Sequence, residues 1–327
     1  MKVRVKTFAI AVLAAAVLPT PRPAQSTDSY PSRTIRLIAP AAPGGNPDVL
    51  ARMLAQKLTD YFARPVIVEN MPGGGGLAGA VAVARAQPDG HTLFLGDAGA
   101  LAILPALSAK LPYDPLKDFT LITALVAVPT VLVVHPSLTT PTLREFIAHA
   151  KAQPGRVNFG SAGNGSIHHM TLAIFAVMAG VDVLHVPFKG GSPLVAALLA
   201  GDVHAGFSGI PNVAQAIKSG RLRALGMSTL RRSDTLPDVP TLAEQGLRDF
   251  DVATTIGLQA PAGLSREIVV RLQVAAAKAL REPDVAERVS TLGMVMMENG
   301  TDHYVQAVKT DLARFAAAAR TAGIKSE

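Results

Sequence analysis

Two glycine-rich turns carry the residue types and spacing of an anion-binding site. APAAPGGNPD occupies residues 39–48 and NFGSAGNGSIHH occupies residues 158–169, and each lies between an apolar, strand-like segment and an amphipathic helical segment. Glycine lets a ligand approach the main chain closely, and the start of a helix offers unpaired N–H groups and a partial positive charge. Because the turns are more than 100 residues apart, we expect two half-sites that face each other across a cleft.

The first turn supplies backbone donors. We assign the amides of Gly44 and Gly45 to a carboxylate of the ligand, and we expect Ala41 to line the cleft through its backbone. Asp48 lies in the first turn of the predicted helix, where a carboxylate either satisfies helix N–H groups or organises the pocket. Asn46 is the predicted N-cap of this helix, because the proline that follows it is favoured as the first helical residue.

The second turn adds side-chain donors. Ser161, Asn164 and Gly165 precede the next helix, and Ser166 is its predicted N-cap. For Ser161 and Ser166 we favour hydroxyl contact with a ligand carboxylate over capping alone. His168 is placed in a structural role or at the edge of the pocket.

Metal binding is not predicted. His168 and His169 are adjacent, so they point to different faces of the helix and lack the His-x-x-x-His spacing that puts two ligands on one face. The chain contains no cysteine, which excludes a thiolate metal site, a disulfide framework and a lipid-anchored cysteine. We predict neither a metal nor a cofactor.

Two later segments complete the set of candidate ligand-binding residues. In HVPFKGGSP, Lys189 and Gly190 are predicted to close over the ligand, although Lys189 fits a solvated surface charge equally well. Ser192 is the predicted N-cap of the helix that follows. Ser208, in GDVHAGFSG, is assigned to the pocket.

Two enzymatic alternatives are weaker. GGGLAG at residues 74–79 matches Gly-x-Gly-x-x-Gly and Asp97 follows about 20 residues later, a pattern of dinucleotide binding. That fingerprint needs a glycine turn directly after the strand, whereas four residues, including a proline, separate the two here. Gly75 and Asp97 are kept as ligand-binding candidates at the cleft. A secreted hydrolase is also open, although GFSGI around Ser208 lacks the final glycine of a Gly-x-Ser-x-Gly elbow.

The amino-terminal residues predict export. Three basic residues in MKVRVK precede an apolar run at residues 7–18, which is too short to span a bilayer and ends at a series of prolines. Residues 1–26 are therefore assigned as a signal peptide without a clear cleavage site, and we expect the protein in the periplasm. The prolines disfavour the alternative, a buried helix.

The charge balance argues against nucleic acid as a partner. The formal net charge is +7 for the whole chain, but residues 27–327 carry 27 basic and 24 acidic side chains, a net of +3. The chain has no tryptophan and 4 tyrosines, so it lacks the basic face with aromatic partners that is typical of nucleic-acid binding.

The pattern along the chain predicts an α/β fold. Short apolar strands alternate with amphipathic helices, and glycine stands just past several helix ends. The apolar stretches 121–135 and 252–259 are interpreted as strands that cross between two units. We therefore predict two Rossmann-like lobes, residues 30–128 plus 250–327 and residues 129–249, joined by a two-segment hinge.

Seven stretches carry a family resemblance and cover nearly the whole chain after the amino-terminal segment. Through them the sequence resembles the extracytoplasmic solute receptors of the tripartite tricarboxylate transporter family, the Bug-type receptors. The stretches are YPSRTIRLIAPAAPGGNPDVLAR (30–52), VIVENMPGGGGLAGAVAVARAQPDGHTL (66–93), LPYDPLKDFTLIT (111–123), NFGSAGNGSIHHMTLAIF (158–175), HVPFKGGSPLVAALLAGDV (185–203), LPDVPTLAEQGL (236–247) and GLQAPAGLS (257–265).

The resemblance implies a type II periplasmic-binding-protein fold that closes around its ligand like a Venus flytrap. It also implies binding of a small organic acid between the lobes, delivery to membrane subunits of a tripartite tricarboxylate transporter, and no catalysis. We expect a monomer. A receptor that presents its ligand to a membrane signalling protein is the alternative that the sequence leaves open.

Three positions depart from the family pattern. The family usually has an aromatic residue where Ala41 stands, an aspartate where His204 stands and a tryptophan where Thr255 stands. Losing two aromatic side chains implies a wider pocket, and losing the carboxylate removes a partner for a ligand ammonium group. The resemblance therefore implies a plain organic acid rather than an amino acid.

Overall fold

The computed structural model describes residues 30–108 and 110–324. The predicted signal peptide, residues 1–26, lies outside this part of the chain. Within the described residues, no helix is long and apolar enough to cross a bilayer.

A mixed sheet of ten strands runs through the described residues. Its order is β2-β1-β3-β9-β4-β7-β5-β6, and β8 and β10 both pair with β4. The strands are β1 (Ile35–Ala39), β2 (Val66–Asn70), β3 (Thr92–Phe94), β4 (Phe119–Val134), β5 (Asn158–Ser161), β6 (Leu184–Pro187), β7 (Ala205–Gly209), β8 (Arg223–Met227), β9 (Ala253–Pro261) and β10 (Val295–Met296).

Strand β4 passes through both lobes. Its first part, from Phe119 to Pro129, pairs antiparallel with β9, and its second part, from Thr130 to Val134, pairs antiparallel with β7. This single strand of 16 residues confirms that the apolar stretch 121–135 crosses between the two units. Strand β9 is the second crossing segment.

In each lobe, the strand before the glycine turn pairs parallel with both of its neighbours. Strand β1 pairs parallel with β2 and β3, and β5 pairs parallel with β6 and β7. The first turn follows β1 and the second follows β5. Because parallel strands end at the same edge of a sheet, each turn shares an edge with the loops after its neighbouring strands.

The helices cover both faces of the sheet. Leu37 packs in a core cluster with α1 and α8, whereas its neighbour Ile38 packs in a cluster with α2 and α10, because successive side chains of a strand point to opposite faces. The helices are α1 (Asn46–Phe62), α2 (Leu77–Ala84), α3 (Leu104–Leu107), α4 (Leu143–Ala152), α5 (Ile167–Ala179), α6 (Gly191–Ala200), α7 (Ile210–Lys218), α8 (Arg266–Arg281), α9 (Pro283–Thr291) and α10 (Thr301–Ala322).

Of the three predicted helix N-caps, one is confirmed and two are wrong. Ser166 caps α5 by accepting a hydrogen bond from the amide of the third helical residue, as predicted. Gly45 rather than Asn46 is the N-cap of α1, and Gly190 rather than Ser192 is the N-cap of α6, so these two predictions are wrong. All the first residues of a helix lack an N–H partner within the helix, so proline is tolerated beyond the first position and does not fix the start.

Besides β4 and β9, two further elements contact both lobes. The π-helix Gly99–Ile103 continues directly into α3, and we call residues 99–107 the connecting segment. Ala100 of this segment and Tyr304 of α10 pack in a first-lobe cluster, while Ala102 and Phe315 pack in the second-lobe cluster around Phe175. Helix α10 therefore contacts both lobes, and the predicted lobe boundaries stay a prediction.

Candidate functional site

Asp48 holds the first turn together. Its Oδ2 accepts a hydrogen bond from the Gly44 amide at 2.8 Å, and its Oδ1 accepts one from Nδ2 of Asn70 at 2.8 Å. The guanidinium of Arg52, one helical turn along α1, lies 2.9 Å from the carboxylate. Burial alone would raise the pKa of Asp48, but hydrogen bonds from Arg52, Gly44 and Asn70 outweigh it and hold the pKa below its ordinary value. Of the two predicted roles, this geometry favours organisation of the pocket.

The glycine amides of the first turn already have partners in the protein. Gly44 donates to the carboxylate just described, and Gly45 donates to the carbonyl oxygen of Ala42 at 3.1 Å. The carbonyl oxygen of Ala41 accepts from Nδ2 of Asn70 at 2.9 Å, which ties the first turn to the end of β2. Direct donation from Gly44 and Gly45 to a ligand stays a prediction and requires these bonds to be exchanged.

Ser161 anchors the second turn at the end of β5. The residue is fully buried, its Oγ lies 2.6 Å from Nε2 of His185 on the neighbouring β6, and it accepts from the Gly163 amide at 3.1 Å. A Ser–His contact supplies two of the three members of a catalytic triad. In residues 30–108 and 110–324, however, no carboxylate makes a hydrogen bond to His185. The third member of a catalytic triad is therefore not found there, and the hydrolase interpretation is not supported.

Ser166 and His169 close the second turn. Oγ of Ser166 accepts from the His169 amide at 3.3 Å and donates to the carbonyl oxygen of Gly163 at 2.7 Å. Nδ1 of His169 accepts from the Gly165 amide at 3.2 Å. This is close to a capping box with histidine in place of glutamate at the third helical position. Contact of the Ser161 and Ser166 hydroxyls with a ligand stays a prediction, and capping alone accounts for the bonds of Ser166.

Three imidazoles surround this turn. The rings of His169 and His185 are stacked, with centroids 3.8 Å apart and planes 14° from parallel. Burial, together with the charge of His185, lowers the pKa of His169 to about 4, and burial also lowers the pKa of His185. The buried Nδ1 of His168 has no hydrogen-bond partner among the described residues, and burial lowers the pKa of His168 to about 4. His168 and His169 are therefore neutral at pH 7, and burial favours the neutral form of His185.

The loops that follow β5, β6 and β7 meet at one edge of the second lobe. The Gly190 amide donates to the carbonyl oxygen of Ala162 at 3.2 Å, which joins the start of α6 to the second turn. Nδ2 of Asn212 lies 3.7 Å and 3.6 Å from the positions that a Cβ atom would take at Gly191 and Gly209. The starts of α5, α6 and α7 are therefore neighbours, and their partial positive charges act on the same space.

Other predicted residues of the second lobe lie around this edge. Asn164 and Lys189 are exposed beside it, and Lys189 directly precedes the N-cap of α6. Ser208 is fully buried as the second-to-last residue of β7, and its Oγ has no hydrogen-bond partner among the described residues. In the described part of the chain, no three His, Asp or Glu side chains gather in a way that could hold a metal ion.

Gly75 and Asp97 lie on the first-lobe side. Oδ1 of Asp97 accepts from the amides of Gly99 and Ala100 at 2.9 Å and 3.3 Å, so this carboxyl group caps the connecting segment. The carbonyl oxygen of Gly75 lies 3.0 Å from the position of a Cβ atom at Gly99. Burial raises the pKa of Asp97 above its ordinary value.

The connecting segment joins the two glycine turns. A Cβ atom at Gly76 would lie 3.2 Å from Pro40, at the first turn, and 3.1 Å from Ala100, in the connecting segment. At the other end of the segment, Cδ1 of Leu107 lies 2.8 Å from the position of a Cβ atom at Gly165, in the second turn. The two predicted half-sites are therefore linked by continuous packing.

One of the three departures from the family pattern lies away from the second turn. Nδ1 of His204 accepts from the amide of Asn158, which begins β5, whereas Ser161 ends the same strand, about 10 Å along it. The inference drawn from His204 about a ligand ammonium group is therefore wrong. Thr255 lies on β9 beside Asp311 of α10, where both line a cavity of about 300 Å³.

Sequence reasoning missed four residues of this region. Asn70 ends β2 and binds the first turn, and Asn212 lies between two helix starts. His169 and His185 stack against the second turn. Only the role of His169 could have been predicted from the sequence, because it stands three residues after the N-cap, where a side chain can reach back to the turn.

Comparison with known proteins places this geometry in a family. The profile of the Tripartite tricarboxylate transporter family receptor matches residues 50–324. The chain is 36% identical to the protein BugT of Bordetella pertussis over 301 residues, which cover 92% of each chain.

Two similar solved structures contain carboxylates. One is Rpa4515 of R. palustris with adipate, with a TM-score of 0.79, 29% identity, and coverage of 90% of this chain and 99% of that chain. The other is MatC from Rhodopseudomonas palustris with bound malate, with a TM-score of 0.75, 33% identity, and coverage of 88% and 99%. These similarities confirm the predicted two-lobe fold of the type II periplasmic binding proteins. The chain belongs to the receptor family of the tripartite tricarboxylate transporters.

Proposed function

We propose that this protein captures a small organic carboxylate between its two lobes. The observation that carries the proposal is the placement of the two glycine turns, each at the carboxyl end of a parallel strand and both packed on the connecting segment through Gly76 and Leu107. Open α/β sheets bind ligands at that edge.

The electrostatics of this region support an anion as the ligand. The starts of α5, α6 and α7 are neighbours, and each adds a partial positive charge without a lysine or arginine. Asp48 does not oppose an anion strongly, because Gly44, Asn70 and Arg52 already neutralise or bind its carboxylate.

A dicarboxylate fits two half-sites best. Adipate and malate, the acids named for two similar structures, both carry one carboxylate at each end. One carboxylate would bind at the first turn and the other at the second, so that the ligand bridges the lobes and stabilises their closed arrangement. The residues that we propose to contact or shape the ligand site are Ala41, Gly44, Gly45, Asp48, Gly75, Asp97, Ser161, Asn164, Gly165, Ser166, His168, Lys189, Gly190 and Ser208.

The protein acts as a receptor and not as an enzyme in this proposal. It is exported to the periplasm, loses its signal peptide, binds its acid as a monomer, and delivers the acid unchanged to the membrane subunits of a tripartite tricarboxylate transporter. The Ser161–His185 contact is the nearest approach to a catalytic arrangement, and it is buried without a carboxylate partner among the described residues.

The test is calorimetric titration of the purified mature protein with malate, adipate and a panel of other mono-, di- and tricarboxylates, with neutral sugars as controls. We expect at least one acid to bind with a raised thermal midpoint and to be recovered chemically unchanged after incubation. Binding of sugars with no response to any acid would overturn the proposal, and conversion of the bound acid would overturn the receptor assignment.

Delivery is tested separately. The ligand-loaded receptor should bind membranes that contain the transport subunits and leave membranes without them unbound. Selective binding to a membrane signalling protein instead would support the sensor interpretation.

A further inference from the structure

We propose that carboxylate binding at the second turn is coupled to the uptake of one proton by His185, within the stacked pair that it forms with His169. The inference rests on the proposed function, since it concerns the same site. The proton comes from solvent, and no covalent bond other than N–H is formed.

The pair is part of the turn and not merely near it. Nε2 of His185 lies 2.6 Å from Oγ of Ser161, and Nδ1 of His169 accepts from the Gly165 amide at 3.2 Å. The two half-buried rings are stacked 3.8 Å apart. A charge on either ring therefore acts directly on the start of α5, where the proposal places a carboxylate.

The hydrogen bonds select which ring takes the proton. Protonation of His169 would place a hydrogen on Nδ1 and break its bond from the Gly165 amide. Protonation of His185 breaks no bond, because Nε2–H can donate to Oγ of Ser161 while that hydroxyl donates to the carbonyl oxygen of Gly163 at 3.2 Å. Nδ1 of His185 then carries the second hydrogen.

The ligand supplies the charge that this protonation needs. Without ligand, burial keeps the pKa of His185 below its ordinary value, and the partial positive charge at the start of α5 also opposes a cation there. A carboxylate bound at the same place is a counter-charge, which favours the imidazolium. The neutral ring of His169 lies flat against that cation.

Among the described residues, the stacked pair is little affected by other charged side chains. The charge of His185 lowers the pKa of His169, and no other side chain contributes to the pKa shift of either ring. The adjoining elements carry other titratable and charged side chains, which are His168 on α5, Lys189 after β6, His204 before β7, Asp97 before the connecting segment, and Asp302, His303, Tyr304, Lys309, Asp311, Arg314 and Arg320 on α10.

The affinity for the acid depends on pH, because binding is linked to proton uptake by His185. The complex binds more protons than the free protein between the pKa of His185 without ligand and its higher pKa with ligand, so affinity rises as pH falls through that window. The limiting slope is about tenfold in Kd per pH unit, and Kd is constant above the window.

The experiment titrates the mature wild-type protein with malate and adipate at pH 6, 7 and 8, in pairs of buffers that differ in ionisation enthalpy. We expect proton uptake on binding that increases as pH is lowered from 8 to 6, with a lower Kd at pH 6. NMR titration of ring-labelled histidine in the wild type should show the His185 resonance moving to a higher pKa when malate is added.

The matched variants separate this effect from the acid's own ionisation. His185→Gln keeps a group that can bond Ser161 but takes up no proton, so its binding should show no proton uptake and a flat pH profile, whatever its affinity at pH 8. His303→Gln, at an exposed position on α10, should keep the wild-type uptake.

The possible outcomes distinguish failure of this inference from failure of the proposed function. Binding of malate or adipate without proton uptake, and with an unchanged His185 pKa, overturns the inference and leaves the proposed function standing. If His185→Gln does not bind, the wild-type NMR titration still decides. Failure of every carboxylate to bind removes both proposals together.

Discussion

Cδ1 of Leu107, at the end of the connecting segment, lies 2.8 Å from the position that a Cβ atom would take at Gly165 in the second turn. Real Cβ atoms do not approach a neighbour this closely, so the glycine is required by the contact as well as by its φ of +69°. The connecting segment is capped by Asp97 in the first lobe. Its contact with Gly165 therefore joins that lobe to the start of α5 in the second lobe.

Gly165→Ala should destabilise the protein by about 2 kcal/mol and weaken malate binding, because the strained φ costs about 1–2 kcal/mol and the methyl group also displaces Leu107. Gly220→Ala is the matched control, with a φ of +72° and no atom within 4 Å of the new Cβ, so it should show the strain alone and normal binding. Urea unfolding and calorimetry measure both effects.

The double variant Gly165→Ala with Leu107→Ala tests the contact itself. Removal of the leucine side chain makes room for the methyl group, so the double variant should be less destabilised than the sum of the single variants. Strict additivity would show that Leu107 and Gly165 do not interact.

Asp48→Ala should lower the free energy of unfolding at pH 6 by about 1–3 kcal/mol, because it leaves the Gly44 amide and the Asn70 side chain without their buried acceptor. We also expect a weaker Kd for malate, since the first turn loses its organising contact. Asp60→Ala, an exposed position on the same helix, is the control.

The loss of stability in Asp48→Ala relative to wild type should depend on pH. The pKa of Asp48 in the folded protein is below its value in the unfolded chain, so its stabilising contribution is present above the unfolded pKa and is lost as pH falls through the folded pKa. The stability difference between wild type and Asp48→Ala should therefore shrink as pH is lowered from 5 towards 3. A difference that stays constant would contradict the charged role of Asp48.

Asn212→Ala should weaken malate binding by about fivefold, which corresponds to one hydrogen bond of about 1 kcal/mol, while the unfolding midpoint stays near that of wild type. The side chain is exposed and lies between the backbones of Gly191 and Gly209, where two helices start. Gln215→Ala, an exposed polar position further along α7, should leave both quantities unchanged. Equal affinities of the two variants would remove Asn212 from the site.

Asp311→Asn should change the pH dependence of stability. Burial raises the pKa of Asp311 to about 6, against the attraction of Arg314. The folded protein then binds more protons than the unfolded chain between about pH 4 and 6, so ionisation of Asp311 lowers stability as pH rises through that range.

The variant cannot ionise at this position, so its stability relative to wild type should increase by about 2–3 kcal/mol between pH 4 and pH 7. Denaturant unfolding at several pH values measures this difference, and Asp302→Asn on the exposed start of α10 is the control. A difference between wild type and Asp311→Asn that does not vary with pH would mean that the carboxyl group titrates normally.

Much of the local structure could be predicted because it depends on neighbouring residues. The apolar strand before the first turn and the N-cap Ser166 of α5 are found as predicted, since an apolar run, an N-cap serine and a terminal glycine are each recognisable within a few residues. The predicted starts of α1 and α6 were wrong because proline is tolerated at more than one position of a first turn.

The site was predicted less completely, because hydrogen-bond partners are chosen in space. The glycine turns were visible in the sequence, but their amides are engaged by Asp48, Ala42 and His169, which the pattern did not assign to them. The stack of His169 on His185 joins residues from a helix and a neighbouring strand, and no local spacing encodes such a contact.

The order of apolar runs, glycines and prolines therefore predicted an α/β chain, which the fold confirms, as well as an export signal and two anion-binding turns, which stay predictions; each depends on short-range backbone preferences. Long-range packing established that the connecting segment links those turns, that α10 contacts both lobes and that His185 lies against Ser161. These features require residues distant in sequence to be brought together by burial of a shared core, and burial depends on the whole chain at once.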